Sequence, residues 1–232
     1  MADKIYFVYG KKETDYLTKK DSILGKAIAA IGPIRREVTP DLFEALVHSI
    51  VGQQISTKAQ ATICRRMVEN FAPMTPERIA ALAEAELQSC GISFRKAEYI
   101  RDIAVAVRDG HLDLSGLNAL PDDEVSKRLS EIKGIGVWTA EMLMTFSMQR
   151  PNVMSFGDLA ILRGMRMLYH HRKITPALFE KYKRRYAPYA TVASLYLWAI
   201  AGGECPGLVD HAPTTKAKKQ AKARKGKQAK TD

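Results

Sequence analysis

The chain has 232 residues, 46% of them hydrophobic and 26% charged; that is enough for one generous domain or two small ones around a real core, and it excludes disorder of the whole chain. No apolar run reaches the roughly 20 residues of a membrane-spanning helix, since the longest, Ala190 to Gly203, is broken by Thr191 and Ser194, so a soluble protein with no membrane partner is expected. A formal net charge of +11 points to a polyanionic partner, while the widely separated Cys64, Cys90 and Cys205 leave neither a disulfide framework nor a four-cysteine zinc or iron–sulfur site.

In chain order, Ile5–Tyr9 reads as extended, too brief for a signal-peptide core and followed by no small-residue cleavage site; a cytoplasmic location is expected, nucleoid-associated in a bacterium. Residues 1–20 read as an N-terminal extension, and 21–211 as the globular part. In Asp41–Val51, Leu42, Leu46 and Ile50 recur at i, i+4 and i+8 with Phe43, Val47 and Val51 beside them, one wide apolar helical stripe that starts suitably at Pro40-Asp41. Further helices are predicted at 57–71, 76–83, 84–89, 95–109, 122–131, 138–148, 158–170, 176–185 and 189–201. Several open on start signals, Thr75-Pro76-Glu77, Pro121-Asp122 and Thr175-Pro176. Strand alternation is nearly absent.

An all-α architecture of two helical lobes follows, one near 40–150 and the other built from 21–38 plus 151–211. A cleft between the lobes is the natural place for a substrate. Residues 212–232 carry eight Lys/Arg against Asp232 alone and no large apolar side chain, so they read as a disordered basic tail. Charge alone leaves two roles open for it, attraction to nucleic acid through counterion release and simple solubility.

The informative stretch is Leu129-Ser130-Glu131-Ile132-Lys133-Gly134-Ile135-Gly136-Val137-Trp138-Thr139-Ala140. An amphipathic helix ends, two glycines bracket one apolar residue, and a second helix begins at once. Glycine at 134 and 136 permits positive φ and close approach of a ligand, and the amides of 136 to 139 face outward from the new N-terminus. Such a turn can hold a phosphate. A bare Gly-x-Gly is more often a plain tight turn; the longer pattern, with Ile132 and Ile135 as anchors on either side of exposed backbone, favours the binding role.

This hairpin, followed about twenty residues later by Asp158 in Met154-Ser155-Phe156-Gly157-Asp158-Leu159-Ala160-Ile161, resembles that of the helix-hairpin-helix DNA glycosylases. The resemblance extends to Ser49-Ile50-Val51-Gly52-Gln53-Gln54-Ile55-Ser56, Gly91-Ile92-Ser93-Phe94-Arg95-Lys96-Ala97 and Tyr196-Leu197-Trp198, so it covers residues 21 to 203. Its four blocks are most similar to the 3-methyladenine DNA glycosylase II branch. The resemblance implies a base excision repair enzyme that acts as a monomer on double-stranded DNA with damaged bases.

Cleaving a base from deoxyribose develops positive charge at C1′, which a nearby carboxylate stabilises while it orients or deprotonates water; Asp158 is the candidate. Its other reading is an N-cap of the helix that follows, and the two are compatible, since a helix N-terminus favours the ionised form. Lyase relatives carry a Schiff-base lysine at the hairpin position of Trp138. Tryptophan cannot form that adduct, so a monofunctional enzyme is expected, and a thymine- or 8-oxoguanine-directed relative is disfavoured.

Trp138 and Trp198 are candidates for stacking on an extruded, cationic alkylpurine, with core packing as the alternative for each. Met142 stands where the family has a pocket tyrosine, which removes a hydroxyl and a π-face. Gln53-Gln54 resemble the wedge turn that plugs the duplex, with Gln54 at the inserted position. Gly134, Gly136, Val137 and Thr139 are the hairpin's DNA-binding candidates; Arg95 and Lys96 either touch the phosphate backbone or are merely solvated. No cofactor is required, although the resemblance allows Na+ or K+ on the carbonyls of Ser130, Ile132 and Ile135. Adjacent His170 and His171 diverge by about 100° on a helix and make no ligand pair. A non-catalytic helix-hairpin-helix DNA-binding module is the alternative; it would not need Asp158, Trp138 and Trp198 together.

Overall fold

A computed structural model describes residues 4–213. Its elements in chain order are β1 (Ile5–Tyr6), α1 (Lys11–Lys20), α2 (Ser22–Ile31), β2 (Glu37–Val38), α3 (Leu42–Gly52), α4 (Thr57–Phe71), α5 (Pro76–Ala80), α6 (Glu84–Ser89), α7 (Phe94–Arg108), a 3-10 turn (Gly116–Ala119), α8 (Asp122–Glu131), α9 (Val137–Phe146), α10 (Leu159–Tyr169), α11 (Pro176–Tyr186) and α12 (Ala190–Gly202). The architecture is helical; among the described residues the sheet is limited to β1 antiparallel to β2, with Ile5 opposite Val38. No helix among them is long and apolar enough to cross a membrane. The basic tail lies outside the described residues from 214 onward.

The described residues divide into two compact units, 4–8 with 35–153 and 9–34 with 154–213. The N-terminal segment packs on both units: Ile5–Tyr6 pair with Glu37–Val38 in the first, where the Phe7 amide also donates to the Arg36 carbonyl at 2.9 Å, while α1 belongs to the second. Residues 35–38 accordingly belong to the first unit rather than to the lobe drawn over 21–38. Helices α1 and α2 escaped the sequence reading for a physical reason. In KKETDYLTKK only Leu17 is fully buried, so there is no stripe to detect, and Gly25 and Lys26 interrupt the largely apolar α2, with glycine at 25 because a Cβ there would meet Thr18 of α1.

In the first unit the predicted α3 stripe is realised: Phe43, Leu46, Val47, Ile50 and Val51 are buried against Met67, Ile79, Ile100, Leu129 and Leu143. Burying each such side chain contributes about 1.5–3 kcal/mol before entropy is counted. The helix starts are stopped by side chains: Asp41 accepts from the Glu44 amide at 2.7 Å, Ser56 from Ala59 at 3.2 Å, and Thr75 from Arg78 at 3.3 Å. In the second unit α12 is apolar on nearly every face and is buried along most of its length; α10 packs on it so closely at Gly164 that a Cβ would strike the Leu197 carbonyl. Asp21 caps α2 from a buried position and accepts from the Tyr169 hydroxyl at 2.9 Å and from Arg185 at 2.6 Å. That network satisfies a buried charge that would otherwise be costly.

Candidate active site

The hairpin lies in the first unit. Helix α8 ends at Glu131, Ile132 to Gly136 turn the chain, and α9 starts at Val137. The two glycines have different reasons. Gly134 has φ +91, and a Cβ on it would lie 2.5 Å from the Tyr99 ring, so both backbone conformation and packing demand glycine. Gly136 has φ −90, which any residue adopts, and a Cβ there would meet nothing within 4 Å. This corrects the expectation that both glycines supply positive φ: what glycine provides at 136 is a bare approach. No side chain caps α9, so its first amides face outward beside exposed Val137 and Trp138 and half-buried Thr139. Those amides suit an anion at a helix N-terminus.

Trp138 is 49% exposed, which removes the core-packing alternative for it, and Met142, one turn on, is half-buried. Ser130 sits in the last turn of α8, where carbonyls lack intrahelical partners. The Ile132 carbonyl accepts from the Ile135 amide at 2.9 Å and keeps a second lone pair. Among the described residues no cluster of His, Cys, Asp and Glu could hold a metal ion; His170 pairs with His211 at 2.8 Å and His171 with the Tyr182 hydroxyl at 2.9 Å.

The turn after α3 is tied to this hairpin. Gln53 Nε2 donates to the Gly134 carbonyl at 2.8 Å, and Lys96 Nζ donates to the Val51 and Gln53 carbonyls at 2.9 and 2.7 Å. Lys96 is half-buried with two bonds to these carbonyls, and burial lowers its pKa from the usual lysine value. Gln53 likewise faces the protein, leaving Gln54 exposed at φ +58 at the tip. Arg95 remains exposed, with Nε donating to the Tyr99 hydroxyl at 2.5 Å and the guanidinium 5.4 Å from the ring centroid. Tyr99 was missed by sequence reasoning. It underlies Gly134, stacks with Arg95 and lies 5.2 Å from Lys133 Nζ; its only signal was the i, i+4 spacing from Arg95.

Asp158 lies in the second unit and is 7% exposed. Its Oδ1 accepts from the Ala160 and Ile161 amides, both at 2.9 Å, and from the Trp198 indole N–H at 3.1 Å. The N-cap reading is therefore correct, and it coexists with a carboxylate set at the positive end of α10. Trp198, half-buried on α12, donates its indole N–H to the acid. Exposed Phe156 and Leu159 flank Asp158. The Ser155 hydroxyl beneath them is buried without a hydrogen-bond partner, a feature nothing in the sequence indicated.

A model of the HhH-GPD superfamily of base excision DNA repair proteins matches residues 47–188, which include the wedge-like turn, the hairpin and Asp158. The chain belongs to this superfamily. It is similar to proteins whose structures are known. A crystal structure of a DNA-3-methyladenine glycosidase from Bacillus halodurans shares 38% identity and superposes with a TM-score of 0.77 over 85% of this chain and 93% of that one. A Schizosaccharomyces pombe 3-methyladenine DNA glycosylase in complex with abasic DNA shares 29% identity at a TM-score of 0.68, over 86% of this chain and all of that one, 100%. In sequence, DNA-3-methyladenine glycosylase 1 of Schizosaccharomyces pombe is 34% identical over 180 residues, 75% of this chain and 79% of the relative.

Proposed function

We propose that the chain is a monofunctional DNA glycosylase. It flips alkylated purines, chiefly 3-methyladenine and also 7-methylguanine, and with them the deaminated base hypoxanthine, out of double-stranded DNA and hydrolyses the N-glycosidic bond. The observation that carries this reading is the Asp158 carboxylate, held by two helix amides and the Trp198 indole within a chain whose hairpin presents uncapped amides. The names of the relatives support the substrate class. As the C1′–N bond breaks, the electron pair leaves with the base, which for a cationic purine departs neutral. Asp158 opposes the positive charge left on the sugar. Water then adds to C1′ and gives its proton to Asp158, leaving an abasic site. Trp138, with no amine to form a Schiff base, and Met142 contact the extruded base; Gly134, Gly136, Val137, Thr139, Gln54 and Arg95 contact the DNA. Na+ or K+ on the carbonyls of Ser130, Ile132 and Ile135 would screen the phosphate bound there.

The test is excision from a duplex carrying one alkylated purine, with and without alkali. Strand scission only after alkali supports this reading. Scission before alkali would reveal lyase action, and none in either lane would leave a binding module.

A further inference from the structure

We infer that Lys96 is a positioning residue: its ammonium locks the Gln54 turn onto α7, and Gln53 locks the same turn onto the hairpin, so that plug and phosphate grip enter DNA as one rigid piece. The inference rests on the proposed glycosylase reading, in which Gln54 fills the gap left by the extruded nucleotide.

The turn's own backbone cannot hold it. The bonds from the Gln53 amide to the Ile50 carbonyl and from the Ile55 amide to the Gly52 carbonyl are long, 3.3 and 3.4 Å. Gln54 is held at φ +58, a left-handed conformation that a residue with a Cβ adopts at a cost and keeps only when its surroundings impose it. The Val51 carbonyl belongs to the last turn of α3, whose acceptors have no helical partners. Lys96 Nζ satisfies that carbonyl and the Gln53 carbonyl at 2.9 and 2.7 Å, while Gln53 Nε2 reaches the Gly134 carbonyl at 2.8 Å. Two bonds from Lys96 on α7 and one from Gln53 to the hairpin thus fix a turn that its sequence neighbours leave loose. Inserting a side chain into a stacked duplex works against base stacking, so a plug on a loose turn would lose its advantage in ordering entropy.

A lysine on a phosphate and a lysine that holds a plug leave different signatures. The affinity of the full chain is measured across KCl concentrations for an undamaged duplex and for one with a tetrahydrofuran abasic analogue beside a 2-aminopurine reporter. Lys96→Met is expected to weaken abasic binding about tenfold and to diminish the reporter signal. Undamaged binding stays within about twofold and the salt slope is unchanged; Lys96→Arg restores part of the preference. A slope shallower by about one, with equal loss on both duplexes, would mark a phosphate contact and overturn the inference, as would no change on either duplex. Should Lys96→Met not fold, Gln53→Ala leaves Lys96 in place and is expected to reduce abasic preference in the same way; an undiminished preference refutes the inference. A wild-type chain that does not prefer the abasic duplex sinks the glycosylase reading itself, which is visible before any variant is made.

Discussion

Replacing Asp158 by Asn separates the cap from the chemistry. Asparagine retains an oxygen for the Ala160 and Ile161 amides and the Trp198 indole, and it caps helices about as well as aspartate. What disappears is the interaction of charge with the α10 N-terminus, worth about 0.3–1 kcal/mol, so the melting temperature should fall by about 2–4 °C at most. The catalytic loss is much larger. A unit charge about 4 Å from the developing sugar cation, at an effective dielectric of about 20, contributes on the order of 4 kcal/mol, or about a thousandfold in rate. Single-turnover excision from an alkylated duplex, with a melting curve and abasic-duplex affinity measured in parallel, is the assay. Asp158→Asn that excises within about tenfold of wild type, or that loses its fold, would refute the separation of roles derived from this geometry.

Trp198→Phe keeps an aromatic ring, smaller than the indole, and removes the bond to Asp158. A hydrogen bond to a charged group is worth about 1.5–3 kcal/mol, so kcat should drop at least about tenfold with KM little changed; a change in KM alone would return Trp198 to a purely stacking role. Gly134→Ala must both adopt φ +91 and displace the Tyr99 ring, and is expected to destabilise by about 2 kcal/mol or more in urea titration. Gly136→Ala should leave stability intact and weaken DNA binding by covering the α9 amides; equal stability losses would contradict the distinct reasons given for the two glycines. Arg166 grips Asp210 through two bonds of 2.7 Å and holds its carboxyl below the usual range. Because the folded-state pKa is depressed, that stabilisation is present above the ordinary carboxylate range and is lost as pH falls through the depressed value. Asp210→Asn should therefore flatten the acid limb of a stability–pH curve, and an unchanged limb would dismiss the pair. Removal of residues 212–232, with their eight cations, should weaken undamaged-DNA binding and lower its salt slope while sparing excision chemistry; an unchanged slope would dismiss the tail as a phosphate ligand.

Local rules alone determined much of this protein. The stripe at Leu42, Leu46 and Ile50, the caps at Asp41, Thr75 and Thr175, and the glycine-bracketed hairpin are legible because a helix repeats every three to four residues and a cap bonds to its own next turn. Asp158 as a cap belongs with them. What required the tertiary structure is every bond between distant segments: the Trp198 indole on Asp158, Gln53 on Gly134, Lys96 on the α3 carbonyls, and Ile5–Tyr6 on Glu37–Val38. A lysine or glutamine beside a turn looks the same in sequence whether it faces water or a carbonyl from a segment 43 or 45 residues away. Packing decides which, because unpaired backbone acceptors are left where helices end, and only the folded chain brings the donor that satisfies them.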